Sequence, residues 1–95
     1  MTVPEYIREL GYDPEDIIYF TNPSYDSAFV GISTDGRAIY DFELMVKYLV
    51  NDWKMTEEEA QEFIQYNTVR ALPYIGNSPI IIQDCRFNLD CNNQE

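Results

Sequence analysis

Residues 27–42, "SAFVGISTDGRAIYDF", constrain the fold more than any other stretch, because two short apolar runs flank Asp35-Gly36. An Asp-Gly pair in that setting is the strongest short-range signal for a β-hairpin. The favoured two-residue turn needs φ > 0 at both central positions, and glycine takes that conformation without steric cost. A two-residue turn at Asp35-Gly36 opposes Ile32 to Ile39 and Gly31 to Tyr40, whose ring would cover the glycine. Asp35 is then a turn residue and not a site.

The hairpin fixes what its neighbours can be. Asp41 ends the second strand and suits the N-cap of a helix from Phe42 to about Trp53, with Phe42, Met45, Val46, Leu49 and Trp53 on one face. A second helix starts at "KMTEEEA", where Thr56 and Glu59 form a capping box, Met55 and Ala60 are placed as a hydrophobic staple, and Glu57, Glu58 and Glu59 complement the helix dipole. Helical spacing then puts Ala60, Phe63, Ile64, Asn67, Thr68 and Ala71 on one face. Pro73 disfavours helical angles at the residue before it, so the helix is expected to end near Ala71 or Leu72.

Before the hairpin, Thr2 with Glu5, Pro4 and Gly11 mark the ends of a short helix with Val3, Tyr6, Ile7 and Leu10 on its apolar face. "IIYF" (17–20) reads as a short strand. After the helices, Ile80, Ile81 and Ile82 read as a strand covered on both faces. Cys85, Phe87, Leu89 and Cys91 then alternate with Asp84, Arg86, Asn88 and Asp90 as a strand with one wet face, at an edge or across a dimer. The order of elements predicts an α+β fold, a small antiparallel sheet of three or four strands with two or three helices packed on one face. The expected organisation is a single domain over 1–95: an N-terminal helix (1–11), strands and hairpin (17–41), two helices (42–72) and a C-terminal strand (78–91).

Composition narrows the function classes. Ninety-five residues leave no room for a second domain. Seventeen acidic residues against six basic ones, with no histidine, give a net charge of −11. That surface repels nucleic acid and anionic lipid, so neither direct nucleic-acid binding nor membrane binding is expected, and the natural complement is a protein partner with a basic surface. Charge kept only for solubility is the competing reading. No apolar stretch approaches the length of a membrane span, and the start has neither the basic nor the apolar region of a signal peptide, so a cytoplasmic location is expected. Cys85 and Cys91 are then reduced thiols that pack on one strand face, with an intermolecular disulfide, or a zinc site completed by Asp84 and Asp90 or by ligands of a second copy, as alternatives. No catalytic base accompanies them, and no phosphate loop, serine elbow or metal motif is present, so no enzymatic role, cofactor or metal is expected.

Candidate binding residues come from charge and aromatics together. Asp13, Glu15, Asp16, Asp52, Glu57, Glu58 and Glu62 are expected on the surface, with Tyr66 and Tyr74 as anchors, since tyrosine beside charge favours protein interfaces. "YNTVRALPY" (66–74) admits two readings. In one, Asn67, Thr68 and Arg70 are a structural joint: Asn67 bonds backbone of the following turn, Thr68 bonds within its helix, and Arg70 pairs with a carboxylate such as Asp41. In the other, Tyr66, Arg70 and Tyr74 bracket a pocket in which Arg70 and Asn67 hold an anionic nucleotide. A structural homo-oligomer, monomer going to homodimer through the Cys85–Cys91 edge, is a third reading.

Three segments, "DGRAIYDFELMVKYL" (35–49), "MTEEEAQEFIQYNTVRALPY" (55–74) and "PIII" (79–82), resemble a family of small uncharacterised acidic proteins of phages, prophages and bacterial mobile elements. The resemblance covers about half of the chain and carries no assigned catalytic residues. It implies a mobile-element context, in which small acidic proteins inhibit host defence nucleases by imitating nucleic acid, and an anti-CRISPR-like class. The expected location is then the host-cell cytoplasm and the expected partner a nucleic-acid-binding nuclease.

Overall fold

A computed structural model describes residues 2–83; the packing expected of Cys85 and Cys91 and the strand expected over 84–91 lie outside them. The hairpin forms from β1 (Phe29–Ile32) and β2 (Ala38–Asp41), but its turn is longer than the sequence predicts. The Gly36 N–H donates to the Ser33 carbonyl (3.0 Å) and the Ser33 N–H to the Arg37 carbonyl (2.8 Å), which leaves Thr34, Asp35 and Gly36 as a three-residue loop. Within that loop Gly36 alone takes the left-handed conformation, at φ +82°. The extra loop residue slips the register, so Gly31 opposes Ile39 and Ile32 opposes Ala38. An irregularity between Phe29 and Gly31 then absorbs Val30 and sets Phe29 opposite Tyr40. A one-residue slip would turn every later side chain to the wrong face, and the bulge at Val30 reverses it. Tyr40 therefore meets the Phe29 ring edge-on at 5.7 Å, where the sequence places it over Gly31.

The fold is α+β. Around the hairpin lie α1 (Val3–Glu9), α2 (Phe42–Asp52), α3 (Glu57–Phe63) and β3 (Ile80–Ile82). The sheet order is β1-β2-β3, and β3 runs parallel to β2, with Ile39, Tyr40 and Asp41 opposite Ile80, Ile81 and Ile82. The sheet is thus mixed rather than antiparallel throughout. The physical reason is the connection: the chain leaves β2 through two helices, and a crossover of that length can return in the same direction. The strand expected at 17–20 does not form. The Phe20 N–H is taken by the Tyr40 hydroxyl (3.1 Å) instead of a neighbouring strand, and Ile17 is buried while Ile18 is exposed.

The core joins Val3 and Ile7 of α1, Ala38 and Tyr40 of β2, Met45, Val46 and Leu49 of α2, Ala60 of α3 and Ile64 just beyond it. Each fully buried aliphatic side chain contributes about 1.5–3 kcal/mol relative to exposure. At its middle sits an aromatic cluster, with Phe20 against Tyr40 (4.7 Å), Phe20 against Tyr25 (5.4 Å) and Tyr25 against Tyr48 (5.6 Å) between ring centres. Helix α1 closes as its sequence predicts: the Gly11 N–H, at φ +93°, donates to the Arg8 carbonyl, and the Tyr12 N–H donates back to that of Ile7. Trp53, expected inside, is the residue after α2 and is 41% exposed, its ring tilted against Phe63 at 6.1 Å.

Candidate functional site

The segment from Thr56 to Tyr74 carries most of the expected site residues. Its capping box is complete: Thr56 Oγ1 accepts from the Glu59 N–H (3.1 Å) and the Glu59 carboxylate accepts from the Thr56 N–H (3.0 Å). Beyond Phe63 the helix widens into a π-helical turn, Ile64–Thr68, in which the Val69 N–H is shared between the Gln65 and Ile64 carbonyls. One residue is added to that turn. The buried positions become Ala60, Ile64 and Thr68, four apart, and Asn67 is rotated out to solvent. This corrects the expectation that Asn67 and Thr68 both face inward, which assumed 3.6 residues per turn throughout. The ribbon then tightens into a 3-10 turn, Val69–Tyr74, with Pro73 inside it. The expected stop near Leu72 supposed an α-helix up to the proline, but the chain has already left α geometry at Ile64.

Thr68 is the inward member of the pair, and its Oγ1 shares a hydrogen bond of 3.2 Å with the Tyr25 hydroxyl. Tyr25 is fully buried and held at φ +51°, a conformation that non-glycine residues rarely adopt. Burial pushes its phenol above the ordinary value, the Thr68 bond opposes that rise, and the nearby Tyr48 adds to it. Asn67, Thr68 and Arg70 therefore do not act as one joint. Arg70 is exposed with its guanidinium 5.9 Å from the Tyr66 ring centre, while Asp41, the carboxylate suggested for it, is 3% exposed and accepts the Leu44 N–H at 3.1 Å to cap α2.

Arg70 and Tyr66 do line an open groove of about 560 Å³ together with Phe42, Gln61, Glu62, Gln65 and Gln83. Tyr74 and Asn67 are not part of it. Asn67 instead lines a second groove with Met55, Glu59, Phe63, and again Glu62 and Tyr66. Glu62 and Tyr66, one helical turn apart, thus form a ridge with a groove on each side. Glu57, Glu58 and Asp52 are exposed at the α2–α3 corner, Tyr66 is 63% exposed and Tyr74 is 89% exposed. Asp13, Glu15 and Asp16 belong to another part of the fold, a 3-10 turn just after α1 in which the Asp13 carboxylate caps the Glu15 N–H at 2.9 Å. The acidic candidates therefore form two groups.

Sequence reasoning missed two polar clusters. The Asp26 carboxylate accepts the Val3 N–H (2.9 Å) and the Ser24 hydroxyl (3.0 Å), and Ser24 also meets the Tyr48 hydroxyl (3.1 Å), which ties α1 and α2 to the loop before β1. Arg37 donates through Nε to the Ser78 carbonyl (2.7 Å) and through Nη2 to its hydroxyl (3.3 Å). The arginine directly after the Asp-Gly turn was the available signal for the second. Among the described residues no group of three or more His, Cys, Asp or Glu is placed to hold a metal, and no helix is long and apolar enough to cross a membrane. No known protein family, curated protein or solved structure matches the chain.

Proposed function

We propose that the protein is a non-enzymatic binding module that presents the ribbon Glu57–Tyr74 to a basic surface on a protein partner. The observation that carries this reading is the Glu62–Tyr66 ridge, preceded one helical turn earlier by exposed Glu58, on a ribbon that also exposes Glu57 near its start and Tyr74 at its end. Carboxylates on such a ridge supply long-range attraction, and a ring standing between two grooves supplies area that is desolvated on contact. The net charge of −11 adds attraction for the whole molecule. In its finer form the partner is a host defence nuclease whose nucleic-acid groove the acidic ridge fills, as the mobile-element resemblance implies.

Recovery of partners from host lysate on the immobilised protein tests the reading. A basic partner should bind at low salt and elute as salt rises, because exposed charges separated by more than about 8–10 Å are screened at physiological ionic strength. Replacing Glu57, Glu58 and Glu62 together by Gln should abolish recovery without unfolding the chain, since all three are exposed. Unchanged recovery by the triple variant would sink the proposal. The groove at Arg70 favours a second reading, an anionic small ligand held by the guanidinium and flanked by Gln61, Gln65 and the Tyr66 ring. In that case a nucleotide panel should raise the melting temperature of the native protein but not of Arg70→Ala.

A further inference from the structure

Strand β1 is at one edge of the sheet, and among the described residues no strand pairs with its outer side. Ser33 and Arg37 form a hydrogen-bonded pair, so the next pair in the ladder, Ile32 with Ala38, is of the non-bonded kind. The Ile32 N–H and C=O consequently point away from β2, toward the open edge. Beside that edge runs α1, with the Tyr6 ring stacked on Phe29 at 5.9 Å. Between helix and strand lies a groove of about 560 Å³. Its walls are largely apolar: Tyr6, Leu10, Tyr12 and Val30 line it, and all four are exposed.

An edge strand flanked by a helix and an apolar groove is suited to an added strand, in which main-chain bonds give affinity and alternate side chains drop into the groove. The charge at the groove says which strand. Glu9 is the charged residue among those lining it, and the chain leaving Tyr12 runs straight into exposed Asp13, Glu15 and Asp16. We propose that β1 is a docking edge for an extended peptide segment of another protein, with apolar residues at every second position and basic residues between them. Valine- or leucine-sized side chains on one side of that segment cover Leu10, Tyr12 and Val30, and its lysines or arginines face Glu9 and the acidic turn. Asp13, Glu15 and Asp16 thereby gain a role separate from that of the α3 ridge. The protein would be bivalent, and either surface could fail its test without affecting the other.

The test uses the full chain and a capped peptide of alternating Lys and Val, with the same peptide methylated on every backbone nitrogen as a control of equal charge. The expected result is saturable binding of the first peptide, shifts in the amide resonances of residues 29–32 and of Tyr6 and Leu10, and slowing of Ile32 amide exchange by about tenfold or more. Leu10→Asn should weaken binding about tenfold, and Glu9→Gln should reduce its salt dependence. Equal binding of the methylated peptide would overturn the proposal, as charge alone would then suffice. So would shifts confined to 57–66. An Ile32 amide already protected in the free protein would also overturn it: protection at all concentrations would mean that the edge is covered by the chain itself, and protection rising with concentration that it is covered by a second copy.

Discussion

At the scale of single residues, the fate of Asn67 and Thr68 shows how one added residue in a helical turn redistributes roles. Thr68 is buried and bonded to Tyr25, so Thr68→Val, which keeps the volume and removes the hydroxyl, leaves a buried phenol unpaired and should destabilise by about 1–3 kcal/mol. Asn67→Ala should fall within about 0.5 kcal/mol of the native chain, as exposed substitutions do. Urea unfolding of the two variants side by side checks both, and the reverse order would disprove the π-turn assignment. The same buried rings set an alkaline limit. Desolvation raises the Tyr40 phenol well above its ordinary value of 10.0, opposed by the Phe20 N–H bond and reinforced by Asp26 and Tyr19, and Tyr25 moves the same way. A phenol whose folded value is raised stabilises the fold fully below the unfolded value, and that stability is lost as pH climbs toward the folded value. Unfolding free energy measured from about pH 8 to about pH 12 should be level at first and fall above about pH 10. None of this was legible in the sequence, because helical periodicity cannot show a widened turn and tyrosine count cannot show which rings go inside.

At the scale of elements, the sequence was most legible where a local rule has a local cause. Thr56 with Glu59, Asp41 before Phe42, and Gly11 after α1 all act where they were expected, since capping involves only a few neighbouring residues. The hairpin was right in kind and wrong by one residue in its loop, and its bulge restored the facing of Phe29, which no local pattern announces. The direction of β3 was not legible either, because three isoleucines in a row read the same in parallel and antiparallel pairing. What fixes β3 from the side is Arg37, whose fork holds both polar groups of Ser78 just before the strand begins. Arg37→Ala should cost about 1.5–3 kcal/mol, as bonds involving a charged group do. It should also speed amide exchange at Ile80–Ile82 more than at Phe42–Leu49. Equal acceleration in both would mean that Arg37 supports the fold as a whole and not this strand.

At the scale of the whole molecule, the surplus of acidic groups governs how the surface behaves. Seventeen acidic groups on 95 residues repel one another, and among the described residues Lys54 and Arg70 have other engagements, with the Asn51 carbonyl (3.1 Å) and the Tyr66 ring. Added salt should therefore stabilise the free protein while weakening its hold on a basic partner. Screening of about 1 kcal/mol of self-repulsion would raise Tm by about 4–8 °C for a chain of this size, and a Tm that falls with salt would refute the repulsion argument. The parallel pairing of β3 with β2 also sets where the chain can be divided. Everything from Phe42 to Pro79 hangs as one loop between adjacent strands, so the sheet is closed by strands that meet across a long connection. Cut at exposed Lys54, the protein becomes two pieces, one holding the hairpin and the other its third strand. Neither piece can finish the sheet alone, and mixing them should restore amide protection at Ala38 and Tyr40, whose N–H groups face β3, so that the fold doubles as a reporter of its own reassembly.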